Sequence, residues 1–181
     1  ASRGLGDVYK RQDGVWALGD ITPGHALAHR AFEQGITIAE KIAGADPKPV
    51  LDDTVPQVVF SFPEAASVGL TLDQAKARED VVEPKETAYP MLSNARMLMS
   101  GEGGSMTVVS GAFANNPDMQ VVLGVHIVSP IASDLIAEAE QLVGNRVPLA
   151  DAARLIHPHP TFSETLGEAL LKADGRPLHT R

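Results

Sequence analysis

Apolar residues recur along this chain with two different periods, and the switch between them divides it. In "TPGHALAHRAFEQGITIAEKIAG" the period is helical: Ala28, Ala31, Gly35 and Ala39 return every three or four residues. Thr22 is placed to cap that helix, Pro23 suits its first turn and Gly44 its end. Just ahead, Val15 to Leu18 in "GVWALGD" reads as a short buried strand. The small residues leave one helix face without bulk, so a neighbouring element or a flat ligand is expected to pack there. Residues 45–56, "ADPKPVLDDTVP", are rich in proline and aspartate and read as a linker.

Beyond the linker the period shortens. "QVVFSFPEAASVGLT" predicts two short strands broken near Pro63, then a helix over 72–79 opened by a Thr71–Gln74 capping box. Residues 81–89, 105–113 and 119–128 are strand-like, with "SGEGGS" and "NNPD" as the turns between them. The helical period then returns. Ser133 is placed to cap "DLIAEAEQLVGN", whose stripe is Leu135, Ile136, Ala139, Leu142 and Val143. "PLADAARLI" reads as a short helix and "SETLGEALLKA" as the last one. Strands in succession followed by helices in succession predict an α+β fold, a mostly antiparallel sheet with flanking helices over residues 57–181.

Composition narrows the function classes. A net charge of −8 on 181 residues argues against nonspecific binding to nucleic acid or an anionic membrane. There is no cysteine, which excludes a disulfide scaffold, a thiolate zinc site and thiol chemistry by this polypeptide alone. No run of about 18 apolar residues predicts a membrane span, and a cytoplasmic location is expected. Residues 1–12, "ASRGLGDVYKRQ", are basic and patternless, without a hydrophobic signal segment. They are expected to be foreign to the native sequence or a loosely ordered arm.

The chemistry concentrates in "LIHPHPTFSETLGEALL", residues 155–171. His157 and His159 alternate with prolines, and in extended backbone they would point the same way. Three readings stand on the residues alone. A metal site would use both histidines and Glu164, but offers no fourth ligand. An acid/base pair would set His159 against Glu164, the carboxylate fixing the imidazole's tautomer and stabilising its charged form. In the third, Thr161 and Glu164 form a capping box, and the glutamate closes on backbone amides.

Elsewhere, Gly19-Asp20 places an aspartate at a strand end before a helix, where it could accept hydrogen bonds from sugar-like hydroxyls or simply assist the helix start. "GEGGS" (101–105) lacks the spacing and lysine of a phosphate loop and reads as a hairpin turn. His126 reads as packed or surface, and His179 lies in a tail.

"VWALGDITPGHALAHRAFEQG" and "HPHPTFSETLGEALL", in this order and about 120 residues apart, together resemble the C-terminal part of the dihydrolipoyl dehydrogenase family of flavoprotein disulfide oxidoreductases. The resemblance runs from about Gly14 to the closing "GRPLH". It implies that residues 13–44 are the last strand and helix of a truncated FAD-binding domain and that 57–181 are an interface domain forming a homodimer. Gly19 and Asp20 would meet the ribityl chain of FAD, and Ala26, Leu27, Ala28 and His29 would face the flavin edge. His159 would be the base that deprotonates a dihydrolipoyl thiol, Glu164 its orienting partner, and His159–Pro160 a cis peptide. His157 would lie near the site without a proton-transfer role. One subunit's pair would complete the other's active site, with electrons passing through a redox disulfide and FAD to NAD. The partners implied are lipoyl domains of 2-oxoacid dehydrogenase or glycine cleavage complexes.

This sequence departs from that pattern in lacking the cysteine pair, the GxGxxG fingerprint and an NAD-binding domain. It is therefore expected to be a fragment with negligible turnover and weak flavin binding at most. A sister reductase acting on glutathione or mycothiol, and a cofactor-free dimerisation module, are the alternative readings.

Overall fold

The computed structural model describes residues 14–180; the expectation for residues 1–12 lies outside them. The chain divides after Val55 into two compact units.

The first unit contains a 3-10 turn (Gly19–Ile21), helix α1 (Ala28–Ile42) and a second 3-10 turn (Asp52–Thr54). Two expectations are corrected here. Val15–Leu18 forms no strand, because among the described residues no strand pairs with it to build a ladder. Nor does the helix begin at Thr22 and Pro23. The N–H and Oγ1 of Thr22 both turn back to donate to the Gly19 carbonyl, at 2.9 and 2.7 Å, and close the 3-10 turn instead.

Arg30 then gathers the following loop. Its guanidinium donates to the Pro23 carbonyl (2.6 Å), the Thr22 hydroxyl (3.2 Å) and Asp52 (2.8 Å), so residues 22–27 wrap the helix end rather than extend it. Part of the small-residue face is filled by the chain's own preceding segment. A Cβ on Gly19 would stand 3.4 Å from that of Ala31, and the Gly19 N–H donates to Gln34 at 2.8 Å. Ala28 and Ala39 stay exposed.

The second unit is a five-stranded antiparallel sheet with helices. Its elements are β1 (Gln57–Val59), β2 (Glu64–Gly69), α2 (Leu72–Ala77), β3 (Val81–Pro90), α3 (Ala95–Ser100), β4 (Ser105–Phe113), β5 (Asn116–Ser129), α4 (Ala132–Gly144), α5 (Leu149–Ala152) and α6 (Glu164–Ala173). The strand order is β1-β2-β5-β4-β3. One sheet face presents Ala66, Val68, Met106, Val108, Val125 and Ile127 to the apolar stripes of α4 and α6, which makes the main core. A smaller core on Val109, Val121 and Leu123 receives Ala75 of α2, whose Thr71–Gln74 capping box has both its hydrogen bonds.

Close backbone approach decides one corner of the sheet. A side chain on Gly124 would overlap the Leu70 carbonyl, and Gly69 opposite it has a φ of +80°.

Two further expectations change. "GEGGS" is not a hairpin turn: α3 stands between β3 and β4, and Gly101, with φ 71°, ends that helix in the left-handed conformation. Ser133 does not cap α4 either. It lies inside the helix, and its N–H is met by the Glu64 carboxylate of β2 at 2.8 Å, a cap supplied from another element.

Candidate active site

The loop between α5 and α6 carries the two histidines, and it aims them apart. His159 remains 69% exposed, and its Nδ1 lies 2.8 Å from Oε1 of Glu164, the first residue of α6. The His159–Pro160 peptide is cis. The other carboxylate oxygen of Glu164 accepts the Thr161 N–H at 2.7 Å. Thr161 Oγ1 donates to the Pro158 carbonyl at 2.7 Å and pairs with Ser163 Oγ at 2.9 Å. The two carboxylate oxygens of Glu164 thus have separate partners: one meets the imidazole, the other closes half of a capping box. Thr161 does not complete the box, because its hydroxyl is turned to Pro158.

Partial burial acts to raise the Glu164 carboxyl. The Thr161 N–H and the His159 bond outweigh it and hold the group below the ordinary glutamate value. An ionised carboxylate only accepts hydrogen bonds, so the neutral imidazole carries its proton on Nδ1. That leaves the Nε2 lone pair of His159 as the basic atom. Tyr89 is buried on β3. Burial first, then the charges of Glu168 and Glu164, push its hydroxyl far above the usual tyrosine range.

His157 takes a different path. Its ring is 9% exposed and its Nε2 donates to Glu138 of α4 at 2.8 Å. It lies so close to α6 that a Cβ on Gly167 would stand 2.5 Å from its Nδ1. The Glu138 bond raises its titration, against the opposing effect of burial. The two imidazoles thus serve separate carboxylates rather than pointing the same way. No group of three His, Cys, Asp or Glu side chains among the described residues could hold a metal ion.

His179 is more than a tail residue, since its N–H and Nδ1 both engage the Glu168 carboxylate of α6, at 3.2 and 2.8 Å. His126 is half-buried on the sheet with Nε2 3.1 Å from the Leu70 carbonyl.

Asp20 lies in the first 3-10 turn and is exposed, as are Ala26, Ala28 and His29, with Leu27 half-buried as the N-cap of α1. The Leu27 position supplies no side-chain hydrogen bond to the helix amides. This group and the His159 pair belong to different units.

One residue of the site was missed in the sequence. Asn94 caps α3, its Oδ1 accepting the N–H groups of Arg96 (2.9 Å) and Met97 (3.1 Å). Its Nδ2 donates to the Thr161 carbonyl at 3.2 Å. The signal was an asparagine directly before "ARMLM", a run of good helix formers.

Comparison with known proteins gives the family of the chain. Residues 55–170 match the family described as pyridine nucleotide-disulphide oxidoreductase, dimerisation domain. The chain is 41% identical over 168 residues to a dihydrolipoyl dehydrogenase of Cupriavidus necator, covering 92% of this chain and 34% of that protein. It is 38% identical over 170 residues to the dihydrolipoyl dehydrogenase of Bacillus subtilis, covering 93% of this chain and 34% of the relative. The chain thus spans about a third of the length of the curated relatives it matches. Among solved structures, LpdA from Mycobacterium tuberculosis superposes with a TM-score of 0.78 at 30% identity, over 88% of this chain and 34% of that one. Matched over most of its length, from Val55 through α6, the chain belongs to the dimerisation-domain family of the pyridine nucleotide-disulphide oxidoreductases.

Proposed function

We propose that this chain is the dimerisation part of a dihydrolipoyl dehydrogenase, in which Nε2 of His159 accepts the proton of a dihydrolipoyl thiol. The observation that carries this reading is the 2.8 Å contact between His159 Nδ1 and Glu164 on an imidazole that is still 69% exposed. Glu164 fixes the tautomer and stabilises the imidazolium formed when the proton arrives. The sequence has no cysteine, so the thiol and the redox disulfide of this reaction belong to other groups. Proton transfer is this chain's contribution.

Residues 13–44 are read as the flavin-facing remnant of an FAD-binding domain, 45–56 as a linker and 57–181 as the interface domain. The start of α1 fits such a role. Its N-cap residue, Leu27, supplies no side-chain cap, and the positive end of a fifteen-residue helix would favour an electron-rich atom there. Ala26, Leu27, Ala28 and His29 would hold the flavin edge, and Gly19 and Asp20 the ribityl hydroxyls. When bound, FAD supplies the two-electron carrier between the disulfide and NAD. No residue of this chain is assigned to NAD, and the lipoyl domains of a 2-oxoacid dehydrogenase or glycine cleavage complex would present the substrate.

The site is read as shared across a homodimer. Ile156, beside His157, is 96% exposed, and Leu155 is 49% exposed. These apolar side chains suit a second copy packed over the loop. Sedimentation of the purified chain tests the dimer: a strictly monomeric species at high concentration counts against it.

In the full-length enzyme, His159→Gln is expected to slow the dihydrolipoamide half-reaction roughly 10²–10⁴-fold while FAD content stays unchanged. Normal turnover would remove His159 from the base role. The chain alone is expected to show negligible activity, and robust lipoamide-dependent NADH formation by it would overturn that expectation.

A further inference from the structure

We propose that Asn94 is a positioning residue for the His159–Glu164 pair, holding the Thr161 backbone so that Glu164 and, through it, the imidazole keep their aim. The connection runs through named atoms. Asn94 is 5% exposed, and its Oδ1 is fixed by two amides of α3. With its amide oriented by those bonds, Nδ2 is left to donate to the Thr161 carbonyl, 67 residues away in sequence. The N–H of the same Thr161 donates to Glu164 Oε2, and Oε1 of that carboxylate meets His159. Thr161 is thus held at both its carbonyl and its amide.

A second contact reaches the same stretch from the same helix. The Arg96 guanidinium lies 5.4 Å over the Phe162 ring, and Phe162 packs against the main core. Met97, the next residue of α3, is 1% exposed within that core. The short helix is therefore anchored from below and grips the loop from the side.

The chemistry separates the two jobs of Asn94. Aspartate and serine both cap helices well, but neither can donate as the amide does. A carboxylate offers no proton to the Thr161 carbonyl, and a serine hydroxyl is too short to span the gap. Asn94→Asp and Asn94→Ser should keep α3 and lose the hold on Thr161.

The test is nitrogen-edited NMR on the 181-residue chain, following the His159 tautomer across pH and the exchange rate of the Thr161 amide. In the unsubstituted protein we expect the Nδ1–H tautomer and a protected Thr161 amide. In both variants we expect the tautomer preference to relax toward that of free imidazole. Thr161 amide exchange should quicken by roughly tenfold, as when one hydrogen bond's hold is lost, while far-ultraviolet circular dichroism stays unchanged. Variants that keep the wild-type tautomer, pH profile and Thr161 protection overturn the proposal. So does a Thr161 amide that already exchanges like a free one in the unsubstituted chain, a result that needs no variant to fold.

The consequence for catalysis rests on the reading of His159 as the base, and the two can fail separately. If His159→Gln leaves turnover intact while Asn94→Ser shifts the tautomer, the function falls and the positioning role stands. The reverse result removes Asn94 alone.

Discussion

The two units of this chain are held together by opposite means. In residues 14–55 the buried side chains are Thr22, Arg30 and Thr37, with Val55 the one buried apolar side chain among them. Ile21, Phe32 and Ile42 stand 77, 70 and 67% exposed. In the second unit, two apolar clusters line both faces of a sheet, and Tyr89, Met91 and Met106 are completely buried. The contrast separates local order from cooperative stability. A polar hub fixes a loop to a helix end through bonds that net about 1.5–3 kcal/mol where the charged Arg30 donates, but they act locally. Buried apolar side chains contribute about 1.5–3 kcal/mol apiece and share neighbours.

Three measurements would break or sharpen that contrast. The largest effect is expected for Leu170→Ala, which empties a fully buried position of α6 in the main core. Urea unfolding should show a loss of about 2–5 kcal/mol, and a loss under 1 kcal/mol would mean that the core is looser than it looks.

Arg30→Ala comes next. It removes the donor to Pro23, Thr22 and Asp52, at a local cost of about 1–3 kcal/mol, moderated because Asp52 is 44% exposed. Hydrogen exchange should quicken between residues 19 and 31 while the urea midpoint of the sheet unit holds. A shift of that midpoint would show that the two units unfold together.

The smallest effect is a pH dependence within the second unit. His157 titrates above its ordinary 6.5, with the Glu138 bond as the main cause. Its contribution is complete below pH 6.5 and is lost as pH rises through the folded-state value. Glu164 titrates below its ordinary 4.5; burial opposes the shift, and the Thr161 and His159 bonds produce it. Its contribution is complete above pH 4.5 and is lost as pH falls through the folded-state value. The urea midpoint should therefore be highest between those two ordinary values, pH 4.5 and 6.5. His157→Gln should flatten the alkaline limb, and Glu164→Gln should reduce the acid limb, which Glu64 and Asp80 share because their carboxyls are also lowered. An unchanged alkaline limb in His157→Gln would take that pair out of the stability of the unit.

Much of this was legible along the chain. The stripe of α4, the capping box at Thr71 and the 105–113 strand are properties of nearest neighbours and of period, and the fold keeps them. The misses turn on partners, present or absent, that local pattern does not announce. Ser133 looked like a cap because nothing nearby announces that Glu64 will reach its amide. Thr22 looked like a helix start because its spacing fits one, whereas Arg30 and Asp52 draw the loop another way. Val15–Leu18 has strand character but no ladder to join among the described residues. In the site, the His159–Glu164 pairing could stand among the three readings because the two lie only five positions apart, across a helix start. The divergence of His157 was not, since Glu138 and the bare Gly167 that make room for it lie on two other elements.

The double use of Glu164 has a consequence for the timing of events. The oxygen that closes on Thr161 belongs to the entrance of α6, so it is set when the domain folds. The oxygen facing His159 is set by the same event. The loop is therefore ordered by bonds within its own unit, and the proposed encounter would not have to supply that order. On the proposed reading, a second copy packed over Ile156 would meet an imidazole already aimed by this unit's own bonds, so its binding energy would go into contact rather than into assembly.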